Sequence, residues 1–236
     1  MLNLLSVIIP NYNGASTISD CLASVFSSSH DNLEVIVVDD CSEDNSVDII
    51  SRYPCMLVRL ERHSGAAYAR NRGARQSRGK VLFFTDADCL VMHNTLANAV
   101  KAFEGMDGPV VIGGTYTIEP VDKHFFSRFQ SVFINYSETK NMQNPDYIAT
   151  HAMAIDSEAF RQTGGFSAES LPILEDVEFS HRMRERGFRL IMGRDIFVRH
   201  RFGYTLAQSL ANAFRKSMYW TMYSLNRRDM LADSGT

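Results

Sequence analysis

Apolar runs and helical stripes alternate through the first half of this 236-residue chain, and each run ends in polar turn residues. Residues 4–9 and 33–38 are β-branched-rich runs that predict strands. Between them Ile18, Leu22, Val25 and Phe26 recur at helical spacing, with Ser16 or Thr17 as the cap. Residues 56–60 predict a third strand, 66–76 a helix, and 81–85 a fourth strand. A helix over 94–103 follows, and 110–114 resumes the sheet. Strand and helix in alternation predict an α/β fold with a mainly parallel, Rossmann-like sheet flanked by helices. The run Val81, Leu82, Phe83, Phe84 suits a strand buried on both faces.

The second half is less regular. Residues 125–137 and 157–163 predict helices and 148–155 a strand. A helix from about Glu175 is stopped by Gly187 in a left-handed cap, and strands over 188–192 and 196–200 follow. Over 205–225, Leu206, Leu210, Phe214, Met218, Met222 and Leu225 form one stripe beside Arg215, Lys216, Arg227 and Arg228. Base rates favour a C-terminal amphipathic helix packed on its own domain or on a dimer partner. The sharper alternative is a basic helix lying on an anionic membrane surface. The division read from the pattern is one domain over 1–204, with the helix and tail over 205–236.

Composition narrows the class. Apolar residues make up 45% and charged residues 22%, enough to build an ordinary core. The net charge of −3 carries no basic excess that would point to nucleic acid. Cys21, Cys41, Cys55 and Cys89 are scattered without a C-x-x-C pair, so neither a zinc module nor a disulfide framework is expected, and a reducing cytosol is the simplest setting. The start lacks a basic leader and a cleavage site, so it reads as a strand. No run approaches the roughly 20 apolar residues that cross a bilayer.

Three acidic clusters follow or interrupt apolar segments: Asp39-Asp40, the pair Asp86 and Asp88, and Glu175-Asp176. Together they suggest one acidic crevice along the carboxyl edge of the sheet. Alternate residues of an extended segment project to one side, so Asp86 and Asp88 can address one ligand. Carboxylate oxygens suit Mg²⁺ or Mn²⁺ shared with a phosphate ester, although an aspartate also caps turns for purely structural reasons. Asp39 and Asp40 fit turn residues or acceptors of a nucleobase N–H. Glu175 and Asp176 suit a helix N-terminus whatever their chemistry. A lone His200 at a strand end is more often a packed core residue than a ligand.

In order and spacing, SVIIPNYNG, EVIVVDDCSEDNS, GAAYARNRGARQSRGKVLFFTDADC, GGF, LEDVEFSHRMRERG and VRH resemble the family 2 inverting glycosyltransferases, which have the glycosyltransferase A fold. The resemblance runs to about residue 204 and implies a nucleotide-binding half over 1–114 and an acceptor-binding half over 115–204. It implies that Pro10, Asn11 and Tyr12 lie along the nucleoside, that Asp40 with Asp39 beside it binds the base, and that Gly65 and Arg70 line the nucleotide. It assigns Asp86 and Asp88 to ribose and to a divalent metal, Mn²⁺ or Mg²⁺, with His200 completing the metal shell. Asp176, in the pair with Glu175, becomes the general base. Asn11 and Cys89 are mild departures from the family pattern.

The expected partners are a nucleotide sugar, most simply a UDP-sugar, and a glycan, lipid-linked or other hydroxyl acceptor. The expected place is the cytoplasm or the inner face of the cell membrane. Rival readings are a sugar-phosphate nucleotidyltransferase, which would carry a glycine-rich basic loop where this chain has PNYNG, and a non-catalytic sugar-nucleotide binder. A haloacid-dehalogenase-type site fails because Leu90 stands where Thr or Val is needed, and a receiver module would be shorter.

Overall fold

The computed structural model describes residues 4–104, 106–167, 173–203 and 205–227. The elements run β1 (Leu5–Asn11), α1 (Ile18–Phe26), β2 (Leu33–Asp39), α2 (Ser46–Ile50), β3 (Met56–Arg59), α3 (Ala66–Gln76), β4 (Val81–Phe84), β5 (Cys89–Val91) and α4 (Thr95–Glu104). Then come β6 (Val110–Tyr116), α5 (Phe125–Thr139), a short 3-10 turn (Thr150–Ala152), β7 (Met153–Asp156), α6 (Ser157–Gln162), α7 (Glu175–Glu185), β8 (Arg189–His200) and α8 (Leu206–Arg227).

These strands make one sheet in the order β3-β2-β1-β4-β7-β6-β8-β5. Strands β3, β2, β1 and β4 are parallel, as the alternation predicts. Beyond β4 the sheet is mixed: β7 runs antiparallel to both β4 and β6, β6 and β8 are parallel, and β5 closes antiparallel on β8. The pleat divides each strand between two cores. In β4, Val81 and Phe83 join one cluster while Leu82 and Phe84 join the other, so a four-residue apolar run is buried on both faces. Phe84 then gathers Phe160 and Phe166, with ring centroids 5.1 Å away in each case, and Phe166 lies 4.8 Å from Phe179 of α7. This aromatic cluster pins the helix that begins with Glu175 against the strand that ends at the aspartates.

The sequence reading needs correction in places. The strand expected over 148–155 is only β7, because the chain coils into the 3-10 turn where the Thr85 hydroxyl donates to the His151 carbonyl at 2.9 Å. The two strands expected over 188–192 and 196–200 are one strand, β8. Its interruption is a bulge opposite Gly114, where a Cβ would meet Ile196 Cγ2 at 2.4 Å, so only glycine admits the crossing. Neither Ser16 nor Thr17 caps α1 by its side chain; the first turn is closed by the Thr17 and Ile18 amides donating to the Gly14 carbonyl at 2.9 Å. Helix α2 and strand β5 were not anticipated.

At the C-terminus of α7, Gly187 has φ +84° and the Phe188 amide returns to the Met183 carbonyl, so the left-handed cap is as predicted. Helix α8 packs on the domain through Tyr223, whose hydroxyl lies 2.8 Å from His181 Nδ1, and through Trp220 against Tyr147. The apolar stripe is therefore not the packed face: Leu206, Leu210, Phe214, Met218, Met222 and Leu225 are all exposed, Phe214 at 75%. Arg228 and the tail beyond it lie outside the described residues. Among those described, no helix is long and apolar enough to cross a membrane.

Candidate active site

The parallel strands β1, β2 and β4 end at one edge of the sheet, and a cleft of about 890 Å³ opens there. Its walls bring together Pro10, Asn11, Tyr12, Asp40, Gly65 and Arg70, and from later in the chain Asp86, Asp88 and His200. A crevice at the carboxyl ends of parallel strands is where such sheets bind ligands.

The neighbouring aspartates Asp39 and Asp40 divide their work. Asp39 is 1% exposed and does not line the cleft. Its Oδ1 accepts from Asn11 Nδ2 at 2.9 Å and from the Ser42 hydroxyl at 2.6 Å, so it ties the end of β1 to the loop after β2. It holds that loop, and the expectation that it sits beside a base is not met. Asp40 reaches the cleft, but its two oxygens accept from the Ser64 and Gly65 amides at 2.7 and 2.8 Å. His63 Nδ1 lies 2.9 Å from Asp40 Oδ2, and the His63 ring packs on Tyr12 with centroids 4.1 Å apart. The loop of residues 63–65 thus brings His63 against Tyr12 at the cleft, the two rings tilted by 34°. His63 was missed in the sequence because it lies outside every apolar period and every motif quoted.

Arg70 is 4% exposed, and both of its Nη atoms are engaged by carboxylates. Its Nη2 donates to Asp86 Oδ1 and its Nη1 to Glu175 Oε1, each at 2.6 Å. Burial opposes the guanidinium charge, yet Asp86 and Glu175 hold its proton more tightly than in a free arginine. The same helix fixes the GGF turn. Asn71 Nδ2 donates to the Phe166 carbonyl at 2.7 Å, and its Oδ1 accepts the Phe166 amide at 2.9 Å. A Cβ on Gly165, where φ is +70°, would meet that Asn71 oxygen at 2.4 Å.

Asp88 turns its side chain, 42% exposed, toward the cleft with Oδ2 3.3 Å from His200 Nε2. Burial opposes its ionisation, but the hydrogen bond and charge of His200 outweigh that and hold the carboxyl below its ordinary value. Asp88, Cys89 and His200 offer ligand atoms within 4.8 Å of one another, and the buried His200 Nδ1 has no hydrogen-bond partner among the described residues. Cys89 is fully buried, and burial followed by the charges of Asp88 and Asp86 pushes its thiol well up, so it stays protonated. Asp88 and His200 offer a carboxylate and an imidazole, with Asp86 on the same cleft although its Oδ1 is taken by Arg70, and oxygen and imidazole donors fit Mn²⁺ or Mg²⁺.

Glu175 and Asp176 open α7, and their situations differ. Glu175 is engaged by Arg70, so it positions the helix, and the expectation that it is itself catalytic is not supported by its geometry. Asp176 Oδ1 accepts only the adjacent Val177 amide among the hydrogen bonds of the described residues. Burial and the Glu175 charge raise its carboxyl to about 6, against the pull of Arg70. It is not among the residues that line the cleft, and its neighbour Glu175 reaches Asp86 there through Arg70.

The model of glycosyl transferase family 2 matches residues 6–164, and the chain belongs to that family. An uncharacterised glycosyltransferase of Haemophilus influenzae is 33% identical over 178 residues, covering 75% of this chain and 60% of the relative. The glycosyltransferase AglE of Haloferax volcanii is 27% identical over 241 residues, covering 98% of this chain and 79% of the relative. Among solved structures, the mannosyltransferase PcManGT of Pyrobaculum calidifontis, in complex with GDP-Man and Mn²⁺, aligns with a TM-score of 0.68 at 24% identity. That alignment covers 91% of this chain and 65% of the other. Staphylococcus aureus TarS 1-349 in complex with UDP-GlcNAc aligns with a TM-score of 0.63 at 23% identity, over 85% of this chain and 59% of the other. These likenesses establish the glycosyltransferase A fold.

Proposed function

We propose that the protein is a metal-dependent, inverting glycosyltransferase that moves a sugar from a nucleoside-diphosphate sugar to an acceptor hydroxyl in polysaccharide or glycoconjugate synthesis. The observation that carries this reading is the Arg70 bridge, which couples the aspartate pair at the end of β4 to the acidic start of α7. Two solved relatives of the fold are complexes with GDP-Man and with UDP-GlcNAc, which supports a sugar-nucleotide donor in the cleft. Residues 1–114 carry the donor and 115–204 the acceptor in this account.

Tyr12 and His63 offer the face on which a base stacks, and Asp40 holds their loop in place. Asp86, Asp88 and His200 would hold a divalent cation, which when bound stabilises the negative charge of a leaving diphosphate. Asp176 takes the proton of the acceptor hydroxyl while its oxygen bonds to the anomeric carbon. The bond from that carbon to the diphosphate oxygen breaks on the opposite face, so configuration inverts and a nucleoside diphosphate leaves. With its carboxyl at about 6, Asp176 is ionised at neutral pH yet basic enough to accept a proton in the transition state.

The exposed stripe of α8, with Arg215 and Lys216 beside it, is the contact to an anionic membrane surface at the inner face of the cell membrane, or else to a second copy of the chain. The deciding experiment incubates the protein with UDP- and GDP-sugars and Mn²⁺ and follows nucleoside diphosphate release, with the anomeric configuration of the product read by NMR. Release with inversion is expected. Pyrophosphate release from a nucleoside triphosphate and a sugar phosphate would establish a nucleotidyltransferase instead, and donor binding without turnover a non-catalytic binder.

A further inference from the structure

Three arginines line the donor cleft among the described residues, and they come from separate parts of the chain: Arg70 on α3, Arg201 just after β8, and Arg215 on α8. Two of them are committed to carboxylates. Arg70 holds Asp86 and Glu175, and the Nη2 of Arg201 goes to Asp20 of α1. Arg215 has no carboxylate partner among the described residues; its Nη2 donates to the neutral Asn212 Oδ1 at 3.0 Å, one turn back on the same helix.

The chain before and within α8 fixes that helix at the cleft. The Arg201 amide donates to the Asp88 carbonyl at 3.0 Å, so the end of β8 runs on beside the aspartate that faces the cleft. Just before α8, the Asp122 carboxylate accepts the Phe202 and Gly203 amides at 2.9 and 3.2 Å, and both of these residues line the cleft as well. Further along, Trp220 against Tyr147 and Tyr223 on His181 fasten the helix to the domain. Held before its start and along its second half, α8 brings Arg215 to the cleft, whereas the adjacent Lys216 is not among the lining residues.

The same cleft presents the carboxylates of Asp40, Asp86 and Asp88 to a ligand that is itself anionic. A diphosphate gains one more negative charge in the transfer: as the bond to the anomeric carbon breaks, its electron pair stays on the leaving oxygen. A guanidinium with no carboxylate to hold is suited to that charge, because its planar fork can give two parallel N–H bonds to a phosphate. The amide oxygen of Asn212 carries no charge and is the weaker competitor for it.

We propose that Arg215 binds the diphosphate of the donor, so that α8, which the sequence pattern sets apart from the domain, completes the donor site. The proposal rests on the reading of the cleft as a sugar-nucleotide site, and its test separates the two. In calorimetric titrations of the full chain with UDP and with GDP in Mn²⁺, Arg215→Gln is expected to weaken the nucleotide that wild type binds by about tenfold. Arg215→Lys keeps the charge without the fork and is expected to fall between the two. Arg215 is exposed, so neither substitution disturbs folding. Wild-type affinity in both variants overturns the proposal and leaves the reading of the cleft in place. Binding of neither nucleotide by wild type overturns both.

Discussion

Arg70 and Glu175 stand 105 residues apart in sequence and meet at 2.6 Å, with the other arm of the same guanidinium on Asp86. One buried cation therefore ties Asp86, just after β4, to Glu175 at the start of α7. Lysine offers a single ammonium and no planar fork, so Arg70→Lys cannot hold both carboxylates. Breaking a buried pair of this kind costs about 3–5 kcal/mol, roughly 10 °C in melting temperature for a chain of this size. Differential scanning calorimetry checks it; a melting point within a degree or two of wild type would show that the bridge is dispensable.

If Asp176 is the base of the proposed transfer, removing it should damage turnover far more than donor binding. Asp176→Asn is expected to lower kcat by about 10²- to 10⁴-fold, with nucleotide affinity nearly unchanged. Steady-state kinetics beside calorimetric titration separates the two, and near-normal turnover would remove Asp176 from the role.

The same carboxyl makes a stability prediction with a defined sign. Its folded value, about 6, lies above the unfolded value of 3.8, so between those pH values the folded chain holds a proton that the unfolded chain has lost. Its contribution to stability is thus full below 3.8 and is lost as pH rises through about 6. Asp176→Asn carries no such loss and should melt higher than wild type at pH 8, with the gain shrinking at pH 4. A gain that is equal at both pH values would contradict the buried-carboxylate account.

The proposed metal site makes a prediction at His200. Removing an outer-shell partner of a metal ligand typically costs about 10- to 100-fold in affinity, so losing a ligand should cost at least that. His200→Gln should therefore weaken the Mn²⁺ dependence of turnover by about tenfold or more. An unaltered Mn²⁺ activation curve would return His200 to the role of a packed core residue.

Helix α8 presents its apolar stripe to solvent, with Phe214 the most exposed of the set. Co-flotation with anionic vesicles is expected for wild type and is expected to be lost in Phe214→Glu. A chain that ignores vesicles but elutes as a dimer, and as a monomer when Phe214 is changed, would assign the stripe to self-association.

What the sequence made legible follows from the range of the forces involved. The two-sided strand β4 was readable because burial on both faces leaves an uninterrupted apolar run, and the cap at Gly187 because left-handed backbone selects glycine. Strand β8 was read as two strands, over 188–192 and 196–200, since nothing local distinguishes a break from a bulge that lies opposite Gly114 across the sheet. The three acidic clusters were grouped into one crevice from their places at strand ends and a helix start; Asp40, Asp86 and Asp88 line the cleft, and Glu175 and Asp176 are not among its lining residues. That both Nη atoms of Arg70 go to carboxylates, that Asp39 is spent on Asn11 and Ser42, and that α8 packs through Tyr223 are outcomes of long-range pairing, invisible to periodicity.

The central claim is that acidic side chains from separate parts of the chain hold a nucleoside diphosphate through a divalent cation. Calorimetric titration with UDP and with GDP, each in Mn²⁺ and in chelator, tests it most directly on wild type and on Asp88→Asn. Binding of one nucleotide in Mn²⁺ that disappears both in chelator and in Asp88→Asn is the predicted result. Binding of neither, or binding that is indifferent to chelator and to Asp88, would contradict it.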